Sequence, residues 1–304
     1  MRPYCRTRSR ACSGWKRTVD KSFEIDKQQA RRAFGRAVDT YDAAAVLQQE
    51  TGRRMLERLD YVKLQPQRVL DIGCGTGLHT EALLKRYPKA EVIGLDFALP
   101  MLTNTRMRGR WLRRPKCLCG DLDFLPLASH SVDLVFSNAA IQWSQDPASA
   151  IAEMHRVLRP GGLLMFSSFG PDTLHELRRA WSEVDGFEHV HGFIDMHHYG
   201  DMMVGAGFAD PVMDRQNLNL TYATVPALMR DLKAIGANNA GGGRSRALTG
   251  KARLQALVEA YEQFRDADGR LPATYEVVYG HAWGAQQRRS GDEVHVSLDV
   301  LKSP

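Results

Sequence analysis

Short apolar runs alternate along the chain with segments whose apolar positions recur three and four residues apart, and this alternation predicts the elements. Residues 68–72 (RVLDI) are apolar on both faces and run straight into a glycine-rich turn, the pattern of a buried parallel strand. Leu78 to Tyr87 reads as a helix stopped by Pro88. EVIGLD at 91–96, KCLCGD at 116–121, VDLVFSN at 132–138 and LLMFSS at 163–168 are the next four strands. Asp146 caps a helix with Pro147 at its first position and Ile151, Met154 and Leu158 on one face; Pro160-Gly161-Gly162 ends it. Strands alternating with helices at crossover spacing predict an α/β, doubly wound, mostly parallel sheet.

Both flanks change this rhythm. Residues 26–59 are helical with a break near Thr40. Beyond Gly170, Thr173-x-x-Glu176 reads as a capping box opening a helix through Trp181. A short helix ending at Gly207, a strand at 212–222, a helix at 225–235, a helix at 251–265 and a strand at 274–283 follow. The Gly-, Asn- and Arg-rich stretch 238–250 reads as a mobile loop. The chain therefore divides into a basic extension at 1–22, one domain at 23–285 and a loose tail at 286–304. Within the domain a core at 60–170 is covered by elements from 23–59 and 171–273.

The net charge of +6 narrows the picture only once it is located. Residues 1–19 hold six basic side chains and no acid, so the remainder is neutral and net charge gives no case for a nucleic-acid partner. The extension resembles a transit peptide in being Arg-rich, yet shows no helical apolar face, which favours a disordered or mis-started extension. No apolar run is long enough to span a bilayer. Five cysteines without Cys-x-x-Cys or a secretory signal fit free thiols in a reducing, cytoplasmic setting, with Cys117 and Cys119 as small core residues. His189, His191, His197 and His198 lack the spacing and partners of a metal site.

The chemistry is concentrated in Asp71-Ile72-Gly73-Cys74-Gly75-Thr76-Gly77. Glycines at a strand-to-helix turn let a ligand approach the backbone and leave N–H groups pointing outward. Asp96 ends the second strand nineteen residues later, where a carboxylate can accept both hydroxyls of a ribose. A dinucleotide fingerprint sets its third glycine three residues after the second; here the step is two. This spacing resembles the class I S-adenosylmethionine-dependent methyltransferases. That resemblance implies a seven-stranded Rossmann-like sheet with N-terminal helices and a C-terminal helical lid. It also implies cofactor contacts from Asp71, Gly73, Gly75, Gly77, Asp96, Asp121, Leu122 and Asn138.

Flanking motifs resemble one family within that class, the malonyl-acyl-carrier-protein O-methyltransferases of biotin synthesis. They are Phe34-Gly35-Arg36-Ala37, Tyr41-Asp42-x-x-Ala45-x-Leu47-Gln48, Ser137-Asn138-x-x-x-Gln142-Trp143, Ser168-Phe169-Gly170-x-x-Thr173-Leu174-x-Glu176-Leu177, Leu232-Lys233-x-Ile235-Gly236-Ala237-Asn238, Gly243-Arg244 and Ala273-Thr274-Tyr275. The basic extension and the absence of Asn-Arg-Phe within 190–193 depart from the family pattern. The resemblance implies methyl transfer to the free carboxylate of a malonyl thioester, giving the ester that primes pimeloyl synthesis. Tyr41, Gln142 and Trp143 are the expected substrate pocket, with a phenol or amide donor at the carboxylate. Arg244 and Arg246 are the expected contacts to an acidic acyl carrier protein, with coenzyme A as the other possible thioester handle. A relative of the complex I assembly protein that hydroxylates an arginine, a generic small-molecule methyltransferase and a silent cofactor-binding module are the alternatives.

Overall fold

The five apolar runs form the parallel part of a seven-stranded sheet. In the computed structural model, which describes residues 25–237, 239–242 and 250–285, the strands are β1 (Arg68–Ile72), β2 (Glu91–Asp96), β3 (Lys116–Cys119), β4 (Val132–Ser137), β5 (Leu158–Phe169), β6 (Phe208–Tyr222) and β7 (Leu271–Gly284). Their order is β3-β2-β1-β4-β5-β7-β6, parallel from β3 to β5, with β7 antiparallel to both neighbours. The chain reverses direction on either side of β1, and that switch point is where an open α/β sheet offers a crevice to ligands.

Alternate residues of the central strands feed opposite faces. Val69 and Leu134 pack beneath α2 (Val46–Arg58) and α3 (Leu78–Arg86) through Leu47, Met55, Leu59 and Leu83. Leu70, Ile72 and Val135 pack against α5 (Pro147–Val157) and α7 (Met196–Ala206) through Ile151, Met154, Tyr199 and Met203. The expected cap of α5 is present: the Asp146 carboxylate accepts from Ser149 N at 3.2 Å. The remaining helices are α1 (Lys27–Ala44), α4 (Leu99–Thr105), α6 (His175–Ser182), α8 (Val225–Ala234) and α9 (Lys251–Tyr261). No helix among the described residues is long and apolar enough to cross a membrane.

Four local expectations change. The N-terminal helix breaks at Ala45 rather than near Thr40, because the Thr40 hydroxyl bonds back to Ala37 O and across to Ala234 O of α8. β5 begins at Leu158, before the Pro-Gly-Gly step, which is absorbed as a register shift against β4. The Thr173/Glu176 capping box does not form. Thr173 instead exchanges bonds with the Glu276 backbone, and Glu176 accepts from Thr274 N, so tertiary partners on β7 replace the local ones. Cys117 is only half-buried and Cys119 is exposed, because β3 is an edge strand. The N-terminal extension, most of the loop within 238–250 and the tail lie outside the described residues.

Candidate functional site

At the C-terminal ends of β1, β2 and β4 lies an open cavity of about 590 Å³, bounded by the glycine loop, Asp96, Asp121, Asn138 and Trp143. The loop is tied to β2 by Gly73 N and Cys74 N, which both donate to Leu95 O. Gly73 has φ +69°, and a Cβ there would stand 2.3 Å from the Ala140 Cβ, so only glycine fits. At Gly75 the nearest atom to such a Cβ would be the Tyr41 ring at 3.7 Å. That leaves a cradle between backbone and phenol.

Asp96 ends β2 with 5% of its surface exposed. Its Oδ2 accepts from Gly75 N at 2.9 Å and its Oδ1 from Ala98 N at 2.8 Å. A carboxylate has about four acceptor sites, so two remain for a ligand's hydroxyls. Burial raises its pKa to about 6, with the backbone donors pulling the other way. Asp121 and Leu122 line the opposite wall, and Lys27 bridges Asp121 and Asp123 at 2.5 Å each.

Asn138 lines the floor with its polar atoms engaged. Its Oδ1 accepts from Thr51 Oγ1 (2.9 Å) and Ser167 Oγ (2.8 Å), and its Nδ2 donates to Gln48 O at 2.8 Å. It thereby ties α2, β4 and β5 together beneath the cavity.

The structure brings Tyr41, Gly73, Gly75, Asp96, Asp121, Leu122, Asn138 and Trp143 to this one cavity. Asp71 and Gly77 are not part of its lining. Asp71 is buried below the loop and accepts from Thr80 Oγ1 at 2.6 Å; burial lifts its pKa to about 7. Gly77 precedes α3 with φ +85°, and a Cβ there would stand 2.9 Å from the Thr105 Cα, so it serves the packing of α3 on α4. Gln142 faces an adjoining cavity instead, and Arg244 and Arg246 lie outside the described residues.

The lining residues not expected at the site from sequence include two on α1. Lys27 and Phe34 precede Tyr41 at seven-residue steps on α1 and all three line the cavity. Seven residues are close to two helical turns, so this spacing was the available signal. Between them Ala30, Ala33 and Ala37 form the buried face of α1, small enough for the helix to lie close over the site.

Trp143 separates the first cavity from a second one of about 960 Å³. Phe169, Leu174, Leu177, Trp181 and Phe193 supply much of its wall. Trp143 meets Phe34 edge-on at 5.1 Å on one side and His191 at 5.3 Å on the other. Burial lowers the His191 pKa to about 4, so its ring is neutral at pH 7. His189 stacks on Trp181 at 3.5 Å and bonds to Asp185.

The methyltransferase-domain family model matches residues 70–166, which spans the sheet from β1 to β5. Curated relatives cover far more of the chain. The malonyl-acyl-carrier-protein O-methyltransferase of Halorhodospira halophila is 52% identical over 91% of this chain and 95% of its own length. That of Methylovorus sp. is 54% identical, over 88% of this chain and 92% of its own. Among solved structures, a provisionally assigned methyltransferase of Bacillus halodurans superposes with a TM-score of 0.55 at 18% identity, covering 76% of this chain and 99% of that one.

Proposed function

The chain belongs to the malonyl-acyl-carrier-protein O-methyltransferase family, and from that premise we propose that its two cavities hold the two reactants, the methyl donor over the glycine loop and the malonyl thioester beyond Trp143. The enzyme is an S-adenosylmethionine-dependent carboxyl O-methyltransferase. The first cavity suits that cofactor on its own chemistry. Asp96 keeps acceptor sites for two hydroxyls, Gly75 leaves the backbone open to a ligand, and no arginine or lysine in the loop asks for a phosphate. When bound, S-adenosylmethionine supplies an electrophilic methyl group on a sulfonium.

The chain's own residues have an undemanding task. A malonyl carboxyl with a pKa of about 4 or lower is ionised at neutral pH, so no base is required. What the reaction needs is alignment and partial removal of water from the carboxylate. Tyr41 is suited to hold that carboxylate. Burial, reinforced by Asp96 and Asp42, pushes its phenol well above the ordinary tyrosine range, so it remains a proton donor. Gln142 lines the second cavity rather than the first, with one N–H of its Nε2 donating to Ala139 O at 2.7 Å and the other left over.

The observation that carries this reading is the match to relatives of this activity over some nine-tenths of both chains. Incubation with S-adenosylmethionine and a malonyl-carrier tests it: equal amounts of S-adenosylhomocysteine and malonyl methyl ester are expected. Cofactor bound but never turned over with any malonyl thioester would refute it. The Tyr41→Phe variant should lose roughly tenfold in kcat while its cofactor affinity stays close to wild type, the scale of one hydrogen bond to a charged group. An equal loss in both quantities, read by calorimetry beside initial rates, would move Tyr41 from substrate to cofactor.

The acyl carrier protein is the partner we assign, through Arg244 and Arg246. Gly241 stands against His191 of the second cavity. Replacing both arginines by alanine should raise KM for malonyl-carrier several-fold, with a smaller effect on malonyl-coenzyme A, and flatten the salt dependence of KM. Steady-state kinetics at two ionic strengths decide the matter. A larger effect from charge reversal at Arg113 and Arg114, in the basic stretch 106–116 that precedes β3, would place docking elsewhere.

A further inference from the structure

Lys27 is the first residue of α1, where a cation is unfavourably placed for the helix dipole, so its local position does not explain it. Its partners are tertiary. Nζ lies 2.5 Å from Asp121 Oδ1 and 2.5 Å from Asp123 Oδ2. Asp123 is buried and engaged on both oxygens, since Ser144 Oγ donates to its Oδ1 and Gln145 N to its Oδ2. Asp121 is engaged on one oxygen alone. Asp123 N joins Lys27 at Oδ1, at 3.0 Å, while Oδ2 has no partner among the described residues. The Asp121 side chain is 37% exposed and lines the first cavity, so a ligand there can reach it.

Strand order determines which part of the ligand that is. Across the sheet from β4 through β1 and β2 to β3, the cavity meets in turn Asn138, the glycine loop, Asp96 and Asp121. With the ribose at Asp96 and the methyl group towards Trp143, the adenine is left to the β3 side. Its 6-amino group is the donor that a carboxylate oxygen accepts from there. A carboxylate free to rotate at the rim would lose part of that bond to the entropy of ordering it. Lys27 removes the freedom: it occupies Oδ1 and lies between two carboxylates that would otherwise repel each other. We propose that Lys27 is a positioning residue for recognition of the base, holding Asp121 so that Oδ2 is presented to the amine. The helix that covers the cavity thereby sets the selectivity of the site beneath it. The inference rests on the placement of S-adenosylmethionine in the first cavity and deepens it.

The test measures dissociation constants, by calorimetry, for S-adenosylhomocysteine and for its analogue in which hydrogen replaces the 6-amino group. The wild type should prefer the amine by about tenfold, the scale of one hydrogen bond to a charged group. Lys27→Met keeps the length of the side chain and removes its charge, and there the preference should fall by about threefold or more. In Lys27→Arg, which keeps the charge, it should stay near the wild-type value. The other end of α1 stays tied in both variants, because Asp42 accepts from Thr76 Oγ1 and from Arg108. Thermal unfolding checks that each is folded. A role confined to docking α1 weakens both ligands by the same factor and leaves the preference unchanged, and that outcome in folded Lys27→Met overturns the proposal. A wild-type preference near one overturns it without recourse to any variant. A wild type that binds neither ligand overturns the cofactor placement itself, and the inference with it.

Discussion

Asp96→Ala is expected to raise the dissociation constant for S-adenosylmethionine by about ten- to a hundredfold, the range of one or two hydrogen bonds to a charged group. The carboxylate does two things at once. It presents acceptors to the ligand's hydroxyls, and it holds Gly75 N and Ala98 N at 2.9 and 2.8 Å. Alanine removes the ligand contact and leaves two backbone donors without their partner, so the loop loses its brace along with its acceptor. Asp96→Asn separates the two functions. Its single carbonyl oxygen can keep one backbone donor, so a loss intermediate between wild type and alanine is expected. The pH dependence has a definite sign. The carboxyl, with a pKa of about 6 before ligand binds, accepts fully only when ionised, so wild-type affinity should weaken as pH falls through 6. Titration calorimetry at pH 8 and pH 5 gives both results. Equal affinities for wild type and Asp96→Ala would remove Asp96 from the cofactor site.

The second large effect is on stability and comes from Asp71. It is 2% exposed, and burial lifts its pKa from 3.8 to about 7, against the pull of the Thr80 hydroxyl. A carboxyl raised in the fold keeps its proton where the unfolded chain has lost it. Folding therefore takes up a proton between about pH 4 and pH 7, and this group's contribution to stability falls as pH rises through that window. Asp71→Asn removes the cost of burying the charge while keeping an oxygen for Thr80. The variant should be more stable than wild type at pH 8 by on the order of 3 kcal/mol, and the difference should shrink towards pH 4. Denaturant unfolding at several pH values measures it. A stabilisation independent of pH, or a destabilisation at pH 8, would show that Asp71 is ionised comfortably in the fold. Cofactor affinity should change little in the same variant, because Asp71 is not in the cavity wall.

What could be read from the chain was whatever neighbours along the chain decide. The strand, glycine turn, helix and terminal Asp96 are consecutive, and each depends on backbone conformation or apolar runs within a few residues. The cap of α5 is equally local, since Asp146 reaches only to Ser149. Tertiary structure decided every case in which a polar group had a choice of partner. Glu176 could have capped its own helix, but the β7 backbone at Thr274 offers a buried donor, and the local box was given up. Gln142 could have stood beside Tyr41, but the turn at Ile141–Trp143 sets it in the lining of the second cavity, with one amide N–H given to Ala139 O. Asp71 sits in the glycine motif, yet the depth of the sheet beneath the loop makes it a buried acceptor for Thr80 and leaves it out of the cavity lining. The cover formed by Lys27, Phe34 and Tyr41 also depends on distance in space. Helix periodicity aligns the three side chains, but only the docking of α1 across the switch point puts them over Asp96 and Asp121. Local propensity sets which groups point the same way; burial, which makes an unpaired polar atom costly, sets what each of them holds.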